Sequence, residues 1–173
     1  NKRKAAVPTE LRLFFALSRC RRAWYTGRQN ERKAAAGMGN AQLYQHLRGR
    51  LYRRLPMLAL PLGLLDWCVG NAPGTDGRAF FSPALFLEQA RTDAAADDVL
   101  LHSVLHAMLG HPWLRAPQDA EAWALACDLC AEFLRCRLLD LPLEGVLGRA
   151  YYALAPETVS SAPAICKQLT PDF

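Results

Sequence analysis

The stretch Ala95-Ala96-Asp97-Asp98-Val99-Leu100-Leu101-His102-Ser103-Val104-Leu105-His106-Ala107-Met108-Leu109-Gly110-His111-Pro112 decides how this chain is read. The Asp97-Asp98 pair sits where negative charge favours a helix N-terminus, and Gly110 and Pro112 supply the stop, so the pattern predicts a helix over 95–109. On that helix His102 and His106 stand four apart on one face, close enough for both imidazoles to hold a single metal ion. A third ligand has to come from elsewhere. Two residues are near in sequence: His111, five after His106 and just past Gly110, and Asp128 on the following predicted helix. Neutral histidine and ionised aspartate are both ordinary zinc ligands. The same spacing also fits a plainer account, a pair of hydrogen-bonded histidines in a leucine-rich core.

His102-Ser103-Val104-Leu105-His106 is half of the zincin motif. In the full form, H-E-x-x-H, the glutamate after the first histidine is the general base that takes a proton from water at the metal. Here that position is Ser103, whose hydroxyl is far too weak a base near neutral pH to do the same work. Hydrolysis should therefore be heavily impaired, unless another carboxylate such as Glu88, Glu132 or Asp98 reaches the site. Alternatively, Ser103 is an introduced replacement for a natural glutamate.

Outward from this helix, residues 9–25 carry Leu11, Phe14, Phe15, Leu17 and Trp24 with arginines between them, behind the start signal Pro8-Thr9-Glu10, and predict an amphipathic helix. Residues 40–55, with Leu43, Leu47, Leu51 and Leu55 spaced by four, predict a second basic helix. Gly37-Met38-Gly39-Asn40 breaks the two apart. Pro56 and Pro61 argue against a helix through the next apolar run, so residues 58–69 are expected to hold an extended strand. Dense turn chemistry at 71–77 then leads to a short strand at 78–81, and the two strands are expected to form a hairpin-like pair. A short helix over 83–90, a longer one over 119–139 and one short helix in the Pro-punctuated remainder complete the pattern. Gly74 to Gly77 is no phosphate loop, lacking the lysine and hydroxyl context of one.

The 173-residue length, half-apolar composition and ordinary charge content point to a globular chain and exclude fibrous or disordered classes. The apolar runs are too short to cross a membrane and no secretory leader is recognisable, so no membrane association is expected. Six cysteines scattered through a chain of this size fit reduced thiols in the cytoplasm better than a disulfide framework. Cys127 and Cys130 make a lone C-x-x-C inside a helical pattern, better read as small buried residues than as a redox or zinc-ribbon pair. The formal charge of +5 is concentrated between Lys2 and Arg54. That stretch, with Trp24, Tyr25, Tyr44 and Tyr52 interleaved, reads as a solvated helix face, a grip on nucleic-acid phosphates or a surface for an acidic protein.

An ordered series of segments resembles a family of predicted bacterial metal-dependent peptidases, in which such a domain precedes a von Willebrand factor A-like domain and is often encoded near a MoxR-type AAA ATPase. The series comprises the apolar strand at 57–65, Gly74-Thr75-Asp76-Gly77-Arg78-Ala79-Phe80-Phe81-Ser82-Pro83, the helix bearing His102 and His106, Gly110-His111-Pro112-Trp113-Leu114-Arg115, and Trp123-Ala124-Leu125-Ala126-Cys127-Asp128. It covers roughly half the chain and keeps every element of the family pattern except the glutamate. The resemblance implies that His102 and His106 are zinc ligands, that Asp128 or His111 completes the site, and that a AAA ATPase or a von Willebrand factor A-like protein is a partner. Loss of the glutamate puts peptidase activity in doubt but not the fold, since residue 103 is expected to face solvent, where Glu to Ser costs little.

The expected architecture is thus α+β, a mostly helical zincin-like metallopeptidase domain with a small sheet beside the histidine helix. Residues 1–55 would form a basic helical segment, 56–145 the core, and 146–173 a C-terminal helix and tail. The expected role is a catalytically impaired, zinc-binding homologue acting as a binding or scaffold module. An active zinc peptidase and a nucleic-acid-associated protein using the basic helices are the alternatives.

Overall fold

The computed structural model describes residues 38–90, 93, 95–114, 119–154 and 161–169; the helix expected over 9–25 lies outside them. The fold is α+β and mostly helical, with a small three-stranded mixed sheet. The described residues divide into two compact units, one up to residue 114 and one from residue 119 onward.

The first unit opens with α1 (Met38–Arg54), which buries Tyr44, Leu47 and Leu51 at spacings of three and four. Tyr44 stacks on Phe80 and donates its hydroxyl to the carbonyl of Leu65 at 2.7 Å, fixing the helix to the sheet region. The run expected as a strand is instead helical over most of its length: a 3-10 turn (Pro56–Leu58) leads into α2 (Ala59–Leu64), and only Asp66–Val69 is extended, as β1. The physical reason lies in burial. Leu58, Leu62 and Leu65 are buried while Met57, Leu60 and Leu64 are exposed, a three-to-four spacing that only a helix satisfies. Pro56 and Pro61 do not prevent it, because both fall in first turns, where the amide has no partner within the helix.

The expected hairpin between the two apolar segments is also corrected. β1 pairs parallel with β3 (Ala79–Ser82), Asp66 against Ala79, and a parallel pair cannot be closed by a tight turn. The intervening residues cross over and supply β2 (Gly74–Thr75), which pairs antiparallel with the far edge of β3, giving the order β1-β3-β2. Within the crossover, Thr75 Oγ1 accepts the amide of Gly77, and Asp76 Oδ1 accepts those of Arg78 and Ala79. The turn satisfies its own donors.

After Pro83 come α3 (Ala84–Gln89) and α4 (Ala95–Met108), the histidine helix, which packs against α1, α2 and β2. Arg50 of α1 reaches the buried Asp97 of α4 at 2.7 Å and the carbonyl of Ala90 at 2.7 Å, tying the two helices and the end of α3 together.

The second unit is built on α5 (Ala120–Leu138), whose N-cap Asp119 accepts the amides of Glu121 and Ala122. Two further helices, α6 (Gly145–Leu154) and α7 (Ala162–Leu169), pack on it, where one had been expected. Phe133 stacks on Tyr151 at 4.5 Å over a core that includes Ala126, Leu129 and Ile165.

Candidate metal centre

α4 is buried almost all round: Leu100, Leu101, Ser103, Val104, Leu105, His106 and Ala107 are all buried, and only His102 on this stretch is half-buried. One helical turn brings the Nε2 atoms of His102 and His106 to 3.0 Å, with ring centroids 4.7 Å apart. Two nitrogens about 2.05 Å from a tetrahedral zinc would stand roughly 3.3 Å from one another, so the pair is spaced as such ligands are. Among the described residues, the side chains whose ligand atoms gather within 4.8 Å of one another are His102, His106 and Asp128 of α5, a group that could hold a metal ion. Two imidazoles and one carboxylate are a donor set suited to zinc.

His111 takes a different place. Its Nδ1 lies 3.3 Å from Nδ1 of His106, the nitrogen of that ring that does not face His102, and its side chain is buried.

Ser103 is fully buried, which corrects the expectation of a solvent-facing position. Its hydroxyl donates back to the carbonyl of Val99 at 3.1 Å, the helix's own backbone one turn earlier. The three carboxylates considered as substitute bases have other surroundings. Glu132 is held by Arg135 at 2.8 and 3.0 Å, Asp98 lies 3.5 Å from Nη1 of Arg54, and Glu88 is exposed on α3.

Cys127 and Cys130 are buried in the core of the second unit. Burial pushes the Cys130 thiol up to about 11, the opposite of what a redox-active C-x-x-C requires. In the basic helix α1, Arg48 lies over the Tyr44 ring and Arg50 and Arg54 face Asp97 and Asp98, so much of its charge is engaged within the chain. Sequence reading did not find the Arg50–Asp97 pair, whose members are 47 residues apart with no local signal joining them. It also missed the seat of Trp113, whose ring lies where a side chain at Gly77 would be.

No family model matches the chain, and neither a curated protein nor a solved structure matches it.

Proposed function

We propose that this chain is a zinc-binding, zincin-like module that has lost the general base of a metallopeptidase and works by binding, as an interaction or scaffold domain. The observation that carries the reading is the convergence of the His102 and His106 Nε2 atoms at 3.0 Å, with Asp128 completing a group of zinc-type donors. Zinc bound at such a set supplies Lewis acidity. What a hydrolase needs beside it is a base, and the residue in that position, Ser103, keeps its hydroxyl on the Val99 carbonyl. The resemblance to predicted bacterial metal-dependent peptidases supports the same assignment and suggests a AAA ATPase or a von Willebrand factor A-like protein as the partner class.

The test is elemental analysis of the purified protein together with a His102→Ala/His106→Ala double variant. About one zinc per chain, lost in the variant, is the expected result, with no chelator-sensitive cleavage of a peptide library by the zinc-loaded wild type. Absence of zinc from both proteins would overturn the metal assignment. Chelator-sensitive cleavage would overturn the loss of catalysis.

A further inference from the structure

α4 ends in a Schellman arrangement. The amide of Gly110 donates to the carbonyl of Ala107 at 3.0 Å and the amide of His111 to that of His106 at 3.1 Å, with Gly110 left-handed at φ 74°. A cap of this kind sets the residue after the glycine against the one five before it, and the contact between them is commonly apolar. Here both residues are histidines. Their rings meet nearly edge to face, at 81° with centroids 4.9 Å apart, and their Nδ1 atoms are 3.3 Å from one another. His106 therefore meets His111 through Nδ1 and His102 through Nε2.

A neutral imidazole carries one proton. If it sits on Nε2, the nitrogen facing His102 has no lone pair for a metal; which nitrogen carries it is set by the hydrogen bond the other makes. We propose that His111 is a positioning residue: its Nδ1 accepts the Nδ1 proton of His106 and so holds His106 in the tautomer whose Nε2 can ligate a metal ion beside His102. This rests on the metal-binding reading above and adds to it a role for His111 outside the ligand set. The helix cap thereby doubles as the outer support of the site. The spacing His106, Gly110, His111 follows from the geometry of the cap, which requires a left-handed residue between the two contacting side chains. Trp113, seated on Gly77, fixes the same loop against the turn that leads into β3.

Two variants of the full chain test this. His111→Leu retains the apolar contact that caps of this kind ordinarily carry but removes the acceptor, while His111→Asn returns an acceptor oxygen close to the position of Nδ1. Nitrogen-edited NMR of the metal-free protein at about pH 8, above the ordinary histidine range, should show His106 protonated on Nδ1 in the wild type and in His111→Asn. A rise in the Nε2-protonated form is expected in His111→Leu. Zinc affinity should fall about 10- to 100-fold in His111→Leu and recover in His111→Asn. The thermal midpoint of the metal-free protein should stay close to wild type in both variants, which separates positioning from folding. An unchanged tautomer and an unchanged affinity in His111→Leu would overturn the proposal. A wild type that takes up no zinc would bring down the metal reading alone, because the tautomer comparison still decides: a shift in His111→Leu supports the hold on His106, and no shift overturns it.

Discussion

Ser103 and the histidines beside it were unequally legible. The pairing of His102 with His106 follows from helix geometry alone, since any two residues four apart share a face. The burial of Ser103 depends on what packs around the helix. Leu100, Leu101, Val104 and Leu105 surround it in sequence, and a stretch that apolar all round signals a buried helix more than a one-sided one. Because its hydroxyl bonds back to the Val99 carbonyl within the same helix, Ser103→Ala is expected to change stability by no more than about 1 kcal/mol, alanine being the better helix former. Ser103→Glu places a carboxylate at a position with 0% exposure and should cost about 3 kcal/mol or more in the metal-free protein. Urea midpoints of the two variants check this, and a Ser103→Glu protein as stable as wild type would show that residue 103 has access to water in solution.

At the level of elements, helices bounded by local signals were placed well. α4 stops just before the left-handed Gly110 and α5 begins on its Asp119 cap, as glycine and aspartate at those positions dictate. The segment 57–65 is helical for most of its length despite two prolines that argue against a helix, because each occupies a first turn, where proline is tolerated. The parallel pairing of β1 with β3 was equally hidden, since sequence neighbours separated by a turn favour an antiparallel reading and only tertiary packing reverses it. The Arg50–Asp97 bridge belongs to the same class of long-range facts. Asp97 is buried, and Arg50 also serves the carbonyls of Ala90 and Asp93, so replacing Arg50 strands a buried carboxylate and two acceptors together. Arg50→Met is expected to cost about 2 to 3 kcal/mol, below the roughly 3 to 5 of a fully buried pair because the Arg50 side chain is 22% exposed. Asp97→Asn/Arg50→Met should recover part of that loss, and a double variant no better than Arg50→Met would assign the cost to the carbonyl contacts instead. Chemical denaturation of the three proteins decides between them.

For the whole molecule, charge and metal make separate claims. Residues 2–54 hold 14 of the 21 Lys and Arg with only Glu10 and Glu31 against them, a bias that by itself invites a nucleic-acid reading. In α1, however, Arg50 and Arg54 face carboxylates of α4, so part of that charge serves the fold. Among the described residues no helix is long and apolar enough to cross a membrane, and what remains to be tested at this scale is the link between zinc and unfolding. A ligand that binds only the folded chain stabilises it by about 2.7 kcal/mol when present at 100 times its dissociation constant. For a chain of this length that corresponds to a rise of about 5 to 10 °C in the thermal midpoint. The expected outcome is a rise of that size on adding zinc to the metal-free protein, reversed by chelator and absent in the His102→Ala/His106→Ala variant. The competing account predicts something different: histidines that merely satisfy one another in a core gain nothing from zinc, and their replacement lowers the midpoint equally with and without the ion. The two accounts separate on the difference between zinc-loaded and metal-free midpoints. A difference that disappears with the two imidazoles assigns them to the metal, whereas no difference in the wild type returns them to the core of the first unit.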